Sequence, residues 1–233
     1  MSELEDYIGK HYIHRSNRLR AAVLGVNDGI ISTSSLAIGV TVASSTVSPV
    51  IVATIAGIVA GALSMAAGEF VSVSSQTDIE QADIERERKE LEEDPETELR
   101  MLAKIYENRG LTPETAQKVA EELTAHNALA AHTRDELGIT ETSAANPLQA
   151  AMASAISFLV GGVLPLLVVL LIPFSHLEVA LYIASVLFLG LSGGLAAKAG
   201  GANIKKAVIR IVFWGTIAMG VSAFVGSFFG VNA

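Results

Sequence analysis

The sequence predicts an all-α polytopic membrane protein with five transmembrane helices and a small three-helix insert. Apolar residues make up 51% of the chain and charged residues only 17%, with a mean hydropathy of +0.48. Five apolar segments each approach the roughly 20 residues that cross a bilayer. The charge is concentrated in residues 77–145, which hold 18 of the 24 acidic and 8 of the 16 basic residues. We therefore divide the chain into an N-terminal amphipathic surface helix (1–18), transmembrane helices 1 and 2 (19–76), an acidic helical insert (77–145) and transmembrane helices 3 to 5 (146–233).

The five apolar segments cover about 19–44, 49–75, 147–172, 177–198 and 207–231. Lysine and arginine lie before the first segment and around the fourth connection, whereas the turns at 44–49 and 173–178 and the last three residues have none. Since basic flanks remain cytoplasmic, we expect the N-terminus and the insert in the cytoplasm and the C-terminus outside. The N-terminus lacks the basic region and short apolar core of a cleaved signal peptide.

Helix-start and helix-stop signals divide the insert into three helices. The first continues from the second span to Glu93, and Asp94-Pro95 then provides an N-cap and a first-turn proline for the second. Gly110 ends the second helix near Asn108. Thr112-Pro113 begins the third helix, which runs to about Leu137. Three helices of this length are expected to form a small bundle.

Asp28 is the only ionisable residue between Ala21 and Ala43. A carboxylate at membrane depth costs roughly 3 kcal/mol on insertion scales, so it marks a functional site by default. Met65 and Glu69 lie four residues apart on one face of the second span. Two carboxylates and a thioether are suited to a divalent transition-metal ion. The alternatives are a structural hydrogen-bonded carboxylate pair and a packing role for Met65. Polar neighbours would hydrate a pathway or join helices: Asn27, Ser32, Thr33, Ser34 and Ser35.

The insert carries a second set of candidate metal ligands, distributed over its three predicted helices: Glu87, Glu90, Glu98, His132 and Glu136. Carboxylates and an imidazole from different helices can converge on one ion in a bundle. A glutamate-rich helix with interspersed basic residues is also typical of a solvated, ion-paired face, and the spacing alone leaves both interpretations open.

Composition and motifs exclude several classes of function. The chain has no cysteine, which excludes disulfides and thiolate metal sites. The net charge of −8 argues for cation binding and against a nucleic-acid partner. There is no His-Glu-x-x-His motif, no phosphate-binding glycine loop and no Glu-x-x-His pair of a ferritin-like oxidase. We therefore expect a protein that is not an enzyme and has no prosthetic group.

Four stretches resemble the vacuolar iron transporter family, which includes the nodulin-21-like proteins: 20–33, 62–76, 146–154 and 162–165. The resemblance covers nearly the whole chain. It implies a five-span homodimer that exports Fe²⁺, sometimes Mn²⁺, from the cytosol in exchange for protons. It also implies that Asp28 and Met65 are metal ligands within the membrane, with Glu69 one turn beyond Met65. The membrane would be the plasma membrane of a prokaryote or a vacuole-type membrane of a eukaryote.

In the insert, the same resemblance matches Glu87, Glu90, Glu98 and Glu136 to metal-collecting glutamates of the family. Two positions depart from the family pattern, since Met101 replaces a glutamate and His132 replaces a methionine. Imidazole remains a good ligand for iron or manganese. The main rival interpretation is a membrane-anchored metal buffer or sensor that works through the insert. A transporter of Mg²⁺ or Co²⁺ is a second rival, although a thioether disfavours Mg²⁺.

Overall fold

The computed structural model of the chain describes residues 16–139 and 146–230. Every regular element in these residues is helical. The α-helices are α1 (Ser16–Ala43), α2 (Val47–Glu93), α3 (Pro95–Asn108), α4 (Pro113–Asp135), α5 (Pro147–Leu171), α6 (Leu177–Ala199) and α7 (Ile204–Phe229). A single 3₁₀ turn, Phe174–His176, precedes α6. The predicted surface helix falls almost entirely outside the described residues.

Five helices are long and apolar enough to cross a membrane, which confirms the predicted number of spans. They are Ala22–Ala43, Val47–Glu93, Pro147–Leu171, Phe174–Ala199 and Ile204–Phe229. The second has 47 residues, about twice the length that a bilayer requires. Its charged C-terminal part therefore extends beyond the apolar span. The all-α fold class is thus confirmed.

The described chain divides into two compact units. One comprises the described residues up to Glu69 together with those from Leu148 onwards, and the other is Phe70–Pro147. In the first unit α1 packs against α6 and α7, which also contact each other. Its core draws side chains from all five apolar helices: Ala37, Ile38, Val50, Val169, Leu177, Leu181 and Met219. Large apolar side chains such as Leu63 and Phe228 remain exposed, as expected for surfaces that face lipid.

Glycines allow α1 and α5 to pack closely in this unit. A Cβ atom on Gly29 would collide with the carbonyl oxygen of Phe158, and one on Gly161 would collide with that of Val26. The two backbones therefore touch without intervening side chains, as small residues permit in membrane helices. This contact fixes the depth at which Asp28 faces its neighbours, because Asp28 precedes Gly29.

Replacing Gly161 with alanine is expected to destabilise this unit by about 1–3 kcal/mol, the usual cost of overpacking. The added methyl group meets backbone atoms, which cannot move aside as a flexible side chain would. Thermal unfolding in detergent measures the effect. Gly220→Ala in α7 is the matched control, since a Cβ at that position meets nothing within 4 Å. Equal melting temperatures for the two variants would contradict the proposed close packing.

In the second unit α3 packs on α4 around Leu102, Ala103, Ala120 and Ala131. The predicted helix starts are confirmed. The Asp94 side chain accepts a hydrogen bond from the Thr97 N–H at 3.1 Å, and Thr112 caps α4. Gly110 adopts a φ of +100° after α3, a conformation that favours glycine.

The predicted third helix is present as Pro113–Asp135, but it is interrupted at one residue. Asn127 has φ −167° and ψ 96°, so that α4 consists of two helical segments joined at this residue. The Asn127 side chain accepts a hydrogen bond from the Ala130 N–H at 3.0 Å and thereby caps the second segment. Asparagine is among the preferred N-cap residues. The break gives the short segment that carries His132 a start of its own.

Candidate metal sites

Four of the predicted ligands converge within the unit Phe70–Pro147, which we call the acidic unit. Glu87 lies near the end of α2, Glu98 in the first turn of α3, and His132 and Glu136 at the end of α4. Each residue offers a ligand atom, and these atoms all lie within 4.8 Å of one another. Glu87, Glu98 and His132 are buried, while Glu136 is exposed. Glu136 is thus the member of the cluster that solvent reaches.

The imidazole occupies the centre of this cluster. His132 Nδ1 hydrogen-bonds Glu136 Oε2 at 3.0 Å and lies 2.9 Å from Glu87 Oε1 and 3.8 Å from Glu98 Oε2. One ring N–H serves one acceptor, and Glu87 Oε1 accepts no hydrogen bond from the described residues. A fully buried nitrogen therefore faces three carboxylates, only one of which it satisfies. A divalent cation between these atoms would satisfy all of them.

The pKa values of two buried carboxyl groups reflect this crowding. Burial is the largest cause that raises the pKa of Glu87, and the charge of Glu136 raises it further, whereas His132 lowers it. Burial also raises the pKa of Glu98, against the lowering effect of His132. Neighbouring carboxylates resist simultaneous ionisation. A bound cation removes this repulsion, so the arrangement favours a metal over an empty ionised site.

Glu90 and Met101 lie outside the four-residue cluster. Glu90 is paired with Arg86 at 3.5 Å, and both side chains are largely exposed. Its charge still contributes to the raised pKa of Glu87. Met101 is 42% exposed. The structure therefore brings together Glu87, Glu98, His132 and Glu136, and leaves Glu90 at the edge.

Asp135 fixes the end of α4 against α3, a role that the sequence did not reveal. Its carboxylate accepts hydrogen bonds from Tyr106 Oη at 2.7 Å and from Arg109 Nη1 at 2.6 Å. Burial raises the pKa of Asp135, but hydrogen bonds from Arg134, Arg109 and Tyr106 outweigh it and hold the value at about 2. These bonds place Glu136, the next residue, beside His132. Tyr106 and Arg109 precede Asp135 by 29 and 26 residues, and no sequence pattern links residues that far apart.

A second candidate site lies in the other unit, formed by the described residues up to Glu69 and from Leu148 onwards, which we call the apolar unit. A cavity of about 170 Å³ is lined by polar and apolar side chains from α1, α2 and α5: Asp28, Ser32, Thr33, Leu36, Gly57, Gly61, Ser64, Met65 and Phe158. Ser32 Oγ donates a hydrogen bond to Asp28 Oδ1 at 2.9 Å. The structure thus brings Asp28 and Met65 to one cavity. Glu69, one turn further along α2, is outside its lining.

Each site has the chemistry to hold a divalent cation. Three carboxylates and an imidazole are ligands that Mn²⁺ and Fe²⁺ accept. The cavity around Asp28 offers one carboxylate, a soft thioether and neutral hydroxyl groups, which is a weaker set. The unit Phe70–Pro147 therefore offers the stronger ligand set, and the cavity around Asp28 the weaker one.

Comparison with known proteins agrees with this chemistry. The model of the VIT family matches residues 19–227. A protein of Acanthamoeba castellanii named vacuolar iron transporter is 44% identical over 89% of this chain and 77% of its own length. Vacuolar iron transporter homolog 1 of Oryza sativa subsp. japonica is 35% identical over 96% of this chain and 79% of its own. VIT-like transporter 1b of Glycine max is 32% identical over 98% of this chain and 83% of its own length. The chain therefore belongs to the VIT family.

Proposed function

We propose that this protein transports Fe²⁺ or Mn²⁺ out of the cytosol across a membrane, in exchange for protons. The single observation that carries transport is the cavity that brings Asp28 and Met65 together. Metal binding is supported by the cluster of buried Glu87, Glu98 and His132 with exposed Glu136, whose ligand atoms lie within 4.8 Å of one another. Membership of a family with relatives named iron transporters supports the cargo. Prosthetic groups have no part in this function, since the metal is the cargo itself.

The acidic unit captures the ion. Three carboxylates exceed the charge of one divalent cation, and other acidic residues surround them on the same segment. Such a concentration of one sign of charge raises the local concentration of cations. Exposed Glu136 receives the ion first, and the buried Glu87 and Glu98 then complete its coordination around His132. Glu90, at the edge of the cluster, attracts ions electrostatically.

The apolar unit conducts the ion. Asp28 and Met65 bind it in the cavity between α1, α2 and α5, and Glu69 lies one turn beyond Met65. A carboxyl group that loses a proton when it binds metal, and regains one after release, couples the two fluxes. The basic residues around the start of α1 and around the connection between α6 and α7 support a cytoplasmic location for the insert. We extend the proposal to a homodimer, as the family resemblance implies.

Flux measurements in proteoliposomes test this function. Purified protein is reconstituted, the lumen is made acidic, and Fe²⁺, Mn²⁺, Co²⁺ or Mg²⁺ is added outside. We expect Fe²⁺ and Mn²⁺ to enter faster than in protein-free vesicles, and Mg²⁺ not to enter, because Mg²⁺ retains its waters and avoids thioethers. Entry of Mg²⁺ alone would support the rival cargo and contradict the proposal.

The metal affinity of the acidic unit is expected to fall as the pH is lowered. Burial raises the pKa of Glu87 and of Glu98 above the ordinary value of 4.5, and both must ionise to bind metal. Affinity is therefore full above the raised pKa values and lost below them. The metal-free protein, by contrast, becomes more stable against unfolding as the pH is lowered, because the folded state holds these protons more tightly than the unfolded state.

Mn²⁺ titration of the full-length Asp28→Asn variant checks this dependence, since the free ion is quantified by electron paramagnetic resonance. The variant keeps the acidic unit and removes the carboxylate of the second site. The measurement begins at about pH 5, just above the ordinary value of 4.5 for a glutamate carboxyl group, and extends to about pH 8. An affinity that stays constant across this range would contradict the assigned ligands.

A further inference from the structure

Five polar residues follow one another closely on α1, and most of them have a structural role within the helix bundle. Asn27 accepts a hydrogen bond from the Ser192 hydroxyl at 2.8 Å, and Ser32 donates one to Asp28 at 2.9 Å. The hydroxyl groups of Ser34 and Ser185 share a hydrogen bond at 2.6 Å. The hydroxyl groups of Thr33 and Ser35 are buried and have no hydrogen-bond partner among the described residues. Of these two residues, only Thr33 lines the cavity that contains Asp28.

Buried threonines elsewhere in the same helices behave differently. Thr41 donates to the carbonyl oxygen of Ala37 and Thr54 to that of Val50, both at 2.6 Å. A threonine hydroxyl in a helix usually finds such a carbonyl four residues earlier. Thr33 is 1% exposed and makes no such bond. An unsatisfied buried hydroxyl costs about 1–3 kcal/mol, so a hydrogen-bonding group bound in the cavity would stabilise it.

Thr33 lies in the wall of the cavity, and its hydroxyl is packed closely against α5. A Cβ atom on Gly162 would lie 3.0 Å from Thr33 Oγ1, so a larger residue on α5 would press against the hydroxyl. The cavity of about 170 Å³ accommodates a cation with several of its waters, since one water occupies about 30 Å³. Asp28 and Met65 provide only two ligands, so an ion bound there keeps part of its hydration shell.

We propose that the Thr33 hydroxyl binds the hydration shell of the divalent cation beside Asp28 and is a third cargo-binding group of this cavity. The inference rests on the proposed function. A hydroxyl offers one donor and two acceptor lone pairs, and it accepts a hydrogen bond from a metal-bound water. This contact stabilises a partly hydrated ion within the apolar unit, where bulk water does not replace the waters that the ion has lost.

Flux of Mn²⁺ into proteoliposomes tests the proposal with wild-type protein and the Thr33→Val, Thr33→Ser and Thr54→Val variants. Valine has nearly the shape of threonine and no hydroxyl. Loss of a hydrogen bond to a charged group is expected to lower the flux about tenfold in Thr33→Val. Thr33→Ser keeps the hydroxyl and retains the flux. Thr54→Val, whose hydroxyl serves its own helix, also retains it.

Wild-type flux in Thr33→Val, alongside an inactive Asp28→Asn variant, overturns the role of Thr33 and leaves the proposed function standing. Absence of flux in the wild-type protein overturns the proposed function itself. If Thr33→Val does not fold, Thr33→Ala and Thr33→Ser decide the question, because they differ only by the hydroxyl. Equal flux in these two variants overturns the proposal, and a lower flux in Thr33→Ala supports it.

Discussion

Asp28→Asn is expected to reduce metal flux to the level of protein-free vesicles. Asparagine has the shape of aspartate, and its carbonyl oxygen still accepts the hydrogen bond that Ser32 donates at 2.9 Å. The negative charge and the exchangeable proton are lost. Residues that only orient a ligand change metal affinity by 10–100-fold, so loss of the charged ligand is expected to lower flux by about 100-fold or more. Mn²⁺ flux in proteoliposomes measures the change.

Glu178→Gln is the control for this variant. It makes the same chemical change at an exposed carboxyl group in the first turn of α6, away from the cavity. Both variants should elute as the wild-type protein in size-exclusion chromatography and melt at similar temperatures. Normal flux in Asp28→Asn would remove Asp28 from the transport pathway.

His132→Ala is expected to weaken metal capture by about 100-fold without blocking conduction. The substitution removes the central nitrogen of the cluster, which lies 2.9 Å from Glu87 and 3.0 Å from Glu136. The remaining carboxylates repel one another and protonate more readily. Because the cavity around Asp28 is unchanged, flux at saturating metal should persist. We therefore expect a raised KM and an unchanged maximal rate.

His126→Ala provides the matched control, since this histidine lies on the same helix and is exposed. It should leave both the affinity and the flux unchanged. A comparable effect of the two substitutions would indicate a general change in α4 and would contradict a specific role for His132. A fall in maximal rate with unchanged KM would place His132 in the conduction step.

The fold could be predicted from the sequence because each element has a local cause. Apolar runs define the spans, and the Asp94-Pro95 and Thr112-Pro113 pairs define helix starts. The break at Asn127 could not be inferred with certainty, because an isolated asparagine in an alanine-rich run is also compatible with a continuous helix. The side chain of Asn127 stabilises the break by capping the following segment.

The candidate ligands were also visible as residue types, but their grouping was not. Glu87 and Glu90 lie on the same predicted helical face, yet only Glu87 is enclosed by α3 and α4, while Glu90 pairs with Arg86. The hydrogen bonds of Asp135 to Tyr106 and Arg109 depend on how two helices meet. Similarly, Thr33 differs from its polar neighbours because it lines the cavity without a hydrogen-bond partner, which depends on how the helices pack.

A membrane-anchored metal buffer or sensor is the rival that shares the acidic cluster. Such a protein would bind ions at Glu87, Glu98, His132 and Glu136 and would require nothing of its spans beyond insertion. The cavity with Asp28 and Met65 favours transport, because a carboxylate at membrane depth is costly and serves no purpose in an anchor. The two functions differ in where the metal is found after binding.

Simultaneous recording of luminal metal and luminal pH in proteoliposomes tests the central claim most directly. A metal-sensitive dye and a pH-sensitive dye are enclosed in an acidic lumen, and Fe²⁺ is added outside under reducing conditions. We predict that metal enters the lumen while the luminal pH rises, and that metal entry slows when the proton gradient is dissipated beforehand. Metal that binds to the protein without reaching the lumen would contradict transport, and metal entry without a rise in luminal pH would contradict proton exchange.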